Sequence, residues 1–404
     1  MKILHTSDWH LGRNLCGKKL IEEQAIFFEK IFFPLIKDLN PDLLIITGDI
    51  IDKPNPDFET LKLFTEILFW LFNEKVPSIF ILGNHDSKRL TLYKDFLKHN
   101  YLFMIDNLSY FKEPFIWRDE KGEKVYFYIL PYLHLYEFKE NIEILWNEEK
   151  ETLSDFFNKK SQLILKDLIE LLLTLTKNSI YHPNICIGHF AVEKGIFTGE
   201  EVSLKFMGKE EVFPLEFFEK FDILLLGHLH RLQKISSKVF YSGSILPYSF
   251  EESIYKKGVW FFEIKNNMLI KEEPIYLESP IKLKVIKGYF KDLINSSKDE
   301  AYIKVILKDK EPVLHPFERL KIVFPNLLLL EYEDKEKETF SFSNEFGNKE
   351  LLENKKIDLN EEKLFKDFYK YIEGKEIEDR LFNIFKKYLK EFNESLKEEV
   401  KSWQ

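Results

Sequence analysis

Short apolar runs alternate with longer amphipathic segments over residues 1–260, a pattern that predicts strands separated by helices. Several of the runs are unbroken, which is typical of strands covered on both faces. Between them, helices are predicted over segments such as Glu22–Leu39 and Phe58–Asn73. The predicted strands are Lys2–Thr6, Leu43–Thr47, Ser78–Leu82, Tyr126–Leu130, Asn184–Ile187 and Ile223–Leu226. We therefore expect an α/β domain over residues 1–275.

The pattern changes from Ile281 onward. Strands are predicted at Ile281–Val285, Ala301–Leu307 and Leu327–Tyr332, with a short helix around Phe317–Val323, so we expect a small α+β domain over residues 276–340. Residues 341–404 are predicted to begin as a loose polar connection, up to about residue 360, and to continue as two helices interrupted near Gly374.

The last predicted helix carries one apolar stripe. Its members recur at helical spacing and are Ile377, Leu381, Ile384, Phe385, Tyr388, Phe392 and Leu396. Two interpretations remain open: the stripe packs against the body of the chain, or it docks on another protein.

Composition narrows the class of protein. With 404 residues, 45% of them hydrophobic and 31% charged, the chain is expected to bury a sizeable core. No apolar run approaches the roughly 18 residues of a membrane span, and no signal peptide is recognisable. Cys16 and Cys186 are too few for a disulfide framework, so we expect a reducing, cytoplasmic setting.

The formal net charge of −9 argues against non-specific wrapping of nucleic acid by the whole surface. It does not exclude an enzyme that acts on nucleic acid, because bound metal ions or a partner protein can supply local positive charge.

Five short motifs of potential metal ligands follow the predicted strands. They are Asp8-Trp9-His10, Gly48-Asp49, Gly83-Asn84-His85-Asp86, Gly188-His189 and Gly227-His228-Leu229-His230. Taken singly, each has a bland interpretation: a buried histidine is usually a hydrogen-bonded core residue, a Gly-Asp pair a turn, and Asn84 a helix cap. Their joint occurrence at strand ends favours one shared site.

The spacing of these residues predicts two pairs of side chains, each able to bind one metal ion. In an extended segment, alternate side chains point the same way. Asp8 and His10 are then expected to project together while Trp9 faces the other side, and His228 and His230 to do likewise.

Seven such ligands suit two metal ions about 3.5–4 Å apart, bridged by a shared carboxylate. The mixed nitrogen and oxygen donors favour manganese, iron, cobalt or zinc over calcium. Two divalent ions against two carboxylates leave an excess positive charge that favours a phosphate, and a bridging water becomes the nucleophile. His85 is not needed as a ligand and can protonate the leaving group, with Asp86 as a candidate to orient it.

Together these motifs resemble the calcineurin-like metallophosphoesterase superfamily. Further stretches are similar to the SbcD nuclease family, relatives of archaeal and eukaryotic double-strand-break repair nucleases. These stretches are Thr6-Ser7-Asp8-Trp9-His10-Leu11-Gly12-Arg13, Gly227-His228-Leu229-His230-Arg231, Tyr241-Ser242-Gly243-Ser244 and Ser249-Phe250. The resemblance implies a metallophosphoesterase β-sandwich flanked by helices over residues 1–275, a DNA-capping domain over 276–340 and C-terminal helices.

The resemblance also implies a role for each matched residue. One metal would be held by Asp8, His10 and His230, and the other by Asn84, His189 and His228, with Asp49 as the bridge and Mn²⁺ as the favoured ion. His85 would stabilise the transition state and protonate the leaving group. Some archaeal relatives carry histidine three positions after the bridging aspartate, where this chain has Asp52, so the role of Asp52 is left open.

In function, the resemblance implies a 3′→5′ exonuclease and endonuclease of DNA repair and recombination. It would work as a homodimer on double-stranded DNA ends and hairpins, bound to an SbcC-type ABC ATPase. One alternative is a small-molecule phosphodiesterase or phosphatase with the same dimetal site, for which the sequence beyond residue 275 would be superfluous. Another is a non-catalytic scaffold that keeps a metal site only for folding. His85 argues against it, because a structural metal site needs no acid beyond its ligands.

Overall fold

Most of the described strands up to residue 276 form two six-stranded sheets in this structure, a computed structural model. It describes residues 1–119, 122–160, 163–176, 181–199, 202, 212–333, 365–366, 377 and 380–389. All six strands predicted in this region are present to within two residues at either end. The α/β prediction is confirmed.

The first sheet has the order β16-β15-β1-β4-β5-β6. Its members are β1 (Lys2–Thr6), β4 (Leu43–Thr47), β5 (Ser78–Ile81), β6 (Leu102–Ile105), β15 (Gly258–Lys265) and β16 (Met268–Tyr276). Strands β1, β4, β5 and β6 are parallel, and the pairings of β15 with β1 and β16 are antiparallel.

The second sheet has the order β13-β14-β12-β9-β8-β7. Its members are β7 (Phe115–Arg118), β8 (Lys124–Leu130), β9 (Asn184–His189), β12 (Ile223–Gly227), β13 (Gln233–Lys234) and β14 (Val239–Tyr241). Strands β8, β9, β12 and β14 are parallel, and the two edge strands are antiparallel. Four short strands pair outside the two sheets: β2 (Asn14–Leu15) with β3 (Lys18–Lys19), and β10 (Ala191–Val192) with β11 (Val212–Phe213).

Because successive side chains of a strand point to opposite faces of the sheet, each central strand contributes to two hydrophobic cores. In β4, Leu43 and Ile45 join a core shared by both sheets, while Leu44 and Ile46 face the helices outside the first sheet. The five residues of β4 are all buried, which explains its unbroken apolar run.

Helices cover the outer faces of the sandwich. On the first sheet lie α1 (Ile21–Phe27), α2 (Phe33–Leu39) and α3 (Phe58–Asn73), and on the second α6 (Leu135–Leu145), α7 (Lys150–Lys159) and α8 (Leu165–Leu175). Shorter helices are α4 (Lys94–Lys98) and α5 (Ser109–Lys112), with 3₁₀ turns at Lys88–Tyr93, Asn147–Glu149, Leu215–Phe218 and Phe250–Ile254. The single helix predicted over Glu22–Leu39 is divided by a π-helical turn at Phe28–Phe32, next to Pro34, whose missing N–H breaks the helical ladder.

A small sheet follows, with its own core. Parallel strands β17 (Leu283–Gly288), β18 (Tyr302–Leu307) and β19 (Leu327–Tyr332) pair in chain order and pack with α9 (Phe290–Leu293) and α10 (Pro316–Leu320). The predicted helix near Phe317–Val323 begins and ends earlier, as α10. The domain boundaries at 275 and 340 stay a prediction.

Residues beyond 333 form a separate unit, of which little is described. A helix spans 380–389, in which Phe382 is buried and Phe385 is half-buried, and the Phe365 ring stacks on Phe385 at 3.8 Å. Of the apolar stripe, Leu381, Ile384 and Tyr388 are 42%, 46% and 65% exposed. The predicted connection over 341–360, the break near Gly374, and stripe residues Phe392 and Leu396 lie outside the described residues.

Within the described part of the chain, no helix combines the length and apolar character needed to cross a membrane.

Candidate metal centre

The five motifs lie at the carboxyl ends of five parallel strands, β1, β4 and β5 in the first sheet and β9 and β12 in the second. The carboxyl ends of parallel strands are where α/β sheets gather their functional side chains. The structure brings all seven predicted ligands, and His85, to this one place.

The backbone reaches this arrangement differently from the sequence prediction. Asp8, His10 and His228 have left-handed φ values of 49°, 42° and 97°, and the strands before them have already ended. The prediction that extended backbone places each pair of ligands on one side is therefore wrong. Sharp turns, rather than strand alternation, direct these side chains toward one another. Left-handed backbone at non-glycine residues is strained and concentrates at functional sites.

Trp9 faces away from the site, as predicted. Its side chain is fully buried and packs edge-on against Phe28, Phe32 and Phe80 under the helices of the first sheet.

Two glycines let the sheets approach at this edge. A Cβ on Gly227 would lie 1.8 Å from the Thr47 carbonyl oxygen, and one on Gly48 would lie 2.2 Å from His189 Nδ1. Neither contact is possible for a real side chain, and Gly48 also has a left-handed φ of 85°.

Asp8, His10 and His230 form what we call the first donor group, with ligand atoms all within 4.8 Å of one another. His10 Nε2 lies 3.1 Å from His230 Nε2. The Asp8 carboxylate is held by two donors, the His228 N–H at 2.9 Å from Oδ1 and the Ser7 hydroxyl on Oδ2.

Asn84, His189 and His228 form the second donor group. Asn84 Oδ1 lies 3.0 Å from His189 Nε2 and 3.1 Å from His228 Nδ1. Asn84 follows β5, His228 follows β12 and His189 is the last residue of β9, so both sheets contribute.

Asp49 lies between the two groups. Its Oδ2 is 3.5 Å from His10 Nε2 and 3.3 Å from His189 Nε2. Its Oδ1 accepts the His85 backbone N–H at 2.9 Å, which fixes the carboxylate plane. One oxygen thus faces both groups, as a bridging ligand must.

The outer ring nitrogens show that these residues fit cations. Nδ1 of His189 faces the Thr47 carbonyl at 2.8 Å, Nδ1 of His230 faces Glu252 at 3.2 Å, and Nδ1 of His10 lies 3.4 Å from Asp52. Acceptors at Nδ1 assign the proton there and leave the Nε2 lone pairs facing inward. The lone pairs of His10 and His230, with their Nε2 atoms 3.1 Å apart, repel each other, and a shared cation relieves that repulsion.

The residues that support His230 were not predicted from the sequence. Glu252 accepts from His230 Nδ1 and from Lys257 Nζ at 2.6 Å, and Lys257 also donates to the His230 carbonyl at 2.9 Å. Both charged residues are at least 95% buried. The stretch Ser249-Phe250 contributed to the family resemblance, and Glu252 follows it by two residues. That proximity was the only indication of Glu252 in the sequence.

Asp52, whose role was left open, supports two histidines. Its carboxylate accepts from Arg13 at 2.9 Å and lies near His10, while its backbone carbonyl lies 2.9 Å from Nδ1 of His85. The His85 ring contacts the His10 ring edge-on, with centroids 4.8 Å apart. His85 therefore adjoins the first donor group without belonging to either group.

Asp86 does not orient His85, contrary to the sequence prediction. Its carboxylate accepts the backbone N–H groups of Gly83 at 2.8 Å and Ile51 at 2.9 Å. Asp86 thus shapes the turn that carries Asn84 and His85, because a short carboxylate bonds nearby backbone more readily than a neighbouring ring.

Electrostatics favour ionised carboxylates at the centre. Burial alone would raise the pKa of Asp49, but the imidazoles of His189, His10 and His85 hold it well below its usual range. Burial would lower the pKa of His189, yet Asp49 raises it to about 9, whereas burial dominates at His10 and lowers its pKa. Burial opposes ionisation of Asp52 too, but His10 and Arg13 lower its pKa to about 2.

The chain is weakly similar to a solved structure. A cold-active protein-tyrosine phosphatase of a psychrophilic Shewanella species is 13% identical over 68% of this chain and 80% of that chain, with a TM-score of 0.21.

Two family models match the chain. The calcineurin-like phosphoesterase model matches residues 1–232, more than half of the chain. The SbcD C-terminal model, described as the type 5 capsule protein repressor C-terminal domain, matches residues 280–372. The chain belongs to the calcineurin-like phosphoesterase family, and the two matches together support an SbcD-type nuclease.

Proposed function

We propose that this chain is the nuclease subunit of an SbcCD-type complex and hydrolyses DNA phosphodiester bonds with two Mn²⁺ ions, as a 3′→5′ exonuclease and endonuclease. The observation that carries the proposal is Asp49, whose Oδ2 faces His10 in one direction and His189 in the other. The match at residues 280–372 supports DNA as the substrate, because a small phosphoester would need no such second domain.

The first donor group would hold one ion and the second donor group the other, with Asp49 shared. When bound, two divalent ions supply Lewis acidity and lower the pKa of a water molecule, so that it attacks phosphorus near neutral pH. The chain's own residues fix the ligand tautomers through Thr47, Glu252 and Asp52, and keep Asp49 ionised.

His85 would protonate the leaving group. The hydrogen bond that its Nδ1 makes with the Asp52 carbonyl holds the ring beside the first donor group. It leaves Nε2 to carry the second proton of the imidazolium form, which can pass to the departing oxygen.

The partners we propose are an SbcC-type ABC ATPase, double-stranded DNA ends and hairpins, and a second copy of the chain, in the cytoplasm. Exposed Leu381, Ile384 and Tyr388 on the helix over 380–389 support the docking interpretation of the C-terminal stripe, because three exposed apolar side chains on one helix face suit a partner surface. An ATPase that grips DNA is also compatible with a nuclease whose net charge is −9.

The deciding experiment compares two substrates in Mn²⁺ buffer, end-labelled duplex DNA and a small aryl phosphodiester, with and without the ATPase. We expect chelator-sensitive cleavage of both by the chain and stimulation of DNA cleavage by the ATPase with ATP. Turnover of the aryl ester without any cleavage of DNA, even with the ATPase, would favour the small-molecule phosphodiesterase instead.

A further inference from the structure

A cavity of about 510 Å³ opens beside the second donor group. Asn84, His189 and His228 line one end of it, so a molecule in the cavity would meet the candidate metal centre at that end. Its volume lies in the range of about 300–1,000 Å³ that is typical of small-ligand sites.

The rest of the cavity wall is aromatic and apolar. It includes Tyr132, His134, Leu135, Ile164, Phe190 and Phe213. We call this space the aromatic cavity.

The inner wall is rigid. Phe190 packs edge-on against Phe213 at 5.5 Å and stacks on Phe218 at 5.1 Å. A Cβ on Gly188 would come within 2.2 Å of the Phe190 ring, so the ring lies directly over the strand that carries His189. This wall is therefore formed before any ligand binds.

The outer wall is a row of rings with polar edges. Tyr132 contacts His134 edge-on at 5.5 Å, and His134 lies parallel at 6.1 Å to Tyr136, which is outside the cavity lining. The Tyr132 backbone N–H donates to the Leu82 carbonyl at 2.9 Å, just before the turn that carries Asn84. The outer wall is thus tied to the second donor group.

We propose that the aromatic cavity binds the nucleobase of the nucleotide whose phosphate lies at the second donor group. The inference rests on the proposed function and names its substrate more closely. A ligand that spans this space needs an anionic group at the cationic end and a flat, partly polar group between aromatic walls. A nucleotide joins these two features, and bases of any sequence stack on aromatic side chains.

The cavity also determines whether the nucleotide at the site is base-paired. In a duplex both faces of a base are covered by its stacked neighbours, so a base can stack between the aromatic walls only after it leaves the stack. The nucleotide at the candidate site is therefore unpaired during cleavage, as at a frayed end, an overhang or a loop.

The test measures binding of 2′-deoxyadenosine 5′-monophosphate and of 2-deoxyribose 5-phosphate, which lacks the base, to the Mn²⁺-loaded full chain by calorimetry. Wild-type protein is expected to bind the nucleotide at least about fivefold more tightly, the lower bound for stacking of one base. In Tyr132→Ala that ratio falls toward one, while affinity for the sugar phosphate changes by less than about twofold. Tyr132→Leu, which keeps apolar bulk, is expected to lose the preference in the same way and serves if the alanine variant does not fold.

The matched control is Tyr101→Ala. Tyr101 is 63% exposed and precedes β6, at the amino-terminal edge of the first sheet, so its loss should leave the ratio at the wild-type value. Equal affinities of wild-type protein for the two ligands would overturn the inference, even if the chain cleaves DNA. A variant that loses both ligands together would assign Tyr132 a structural role only and would also overturn it. A chain that shows the base preference but never cleaves DNA would refute the nuclease proposal and leave the aromatic cavity standing.

Discussion

His10 and His230 are 220 residues apart in the chain, yet their Nε2 atoms lie 3.1 Å from each other. Each ring turns its Nδ1 to a carboxylate, Asp52 for His10 and Glu252 for His230. Two carboxylates on the outside and two lone pairs on the inside make a pair that suits a cation far better than a proton.

Replacement of His85 by leucine should separate metal binding from catalysis. His85→Leu is expected to keep wild-type Mn²⁺ content by elemental analysis and to lose about 10²–10⁴-fold in phosphodiester cleavage, the usual contribution of a general acid. The exposed His99→Leu serves as the matched control. Unaltered turnover in His85→Leu would remove its catalytic role.

Replacement of Asp49 should affect both ions, because its Oδ2 faces both donor groups. We expect Asp49→Ala to lose correctly placed metal and all measurable cleavage, whereas the exposed Asp38→Ala should behave as wild type. Metal content per chain and turnover are measured on the same gel-filtered sample. Measurable activity in Asp49→Ala would contradict the bridge.

Glu252 acts on the metal centre through His230. Glu252→Gln is expected to weaken Mn²⁺ binding about 10–100-fold, as is typical when the partner of a ligating histidine is lost. It should also lower the free energy of unfolding by about 1–3 kcal/mol, since Lys257 then lies buried without its carboxylate.

Glu251→Gln provides the control for this prediction, because Glu251 is the exposed neighbour in the chain. A Mn²⁺ titration and a urea unfolding curve are recorded for each variant. Equal Mn²⁺ affinity of the two variants would show that Glu252 is not needed to orient His230.

The Asp52 carboxylate should make the free energy of unfolding depend on pH in the acid range. Its pKa in the folded chain is about 2, below the ordinary 3.8, so the folded state favours the ionised form. Its contribution is therefore complete above about pH 4 and is lost as the pH falls toward about 2. In chelator, Asp52→Asn should be less stable than wild type by about 1–3 kcal/mol at pH 6, and the difference should shrink on acidification.

The exposed Asp95→Asn is the control for that series. Urea unfolding at several pH values checks it, and a wild-type advantage that grows below pH 4 would contradict the assignment.

The C-terminal stripe should govern association with the ATPase. Deletion of residues 361–404 is expected to abolish co-purification while leaving the remainder folded. The double substitution Leu381→Glu with Ile384→Glu should do the same by placing charges on the exposed apolar face. Asn383→Glu, an exposed polar position on another side of the helix, should co-purify normally. Normal co-purification of the truncated chain would defeat the docking interpretation.

The sequence by itself determined the strands and the identity of the candidate ligands. Unbroken apolar runs such as Leu43–Thr47 predict buried strands because no other short element buries every side chain. The polar residues after those runs are predictable as one site because parallel strands end at a common edge. The antiparallel strand β16 was not predicted, because its residues are exposed or half-buried and form no buried apolar run. Strand β15 was not predicted either, although Val259–Phe262 is an unbroken apolar run.

Tertiary structure alone decided how the ligands are aimed and held. Asp8, His10 and His228 converge through left-handed turns, a conformation that local residue preference disfavours and only surrounding contacts can impose. Likewise, the support of His230 by Glu252 and of His85 by the Asp52 carbonyl depends on contacts between distant segments, which no local pattern records.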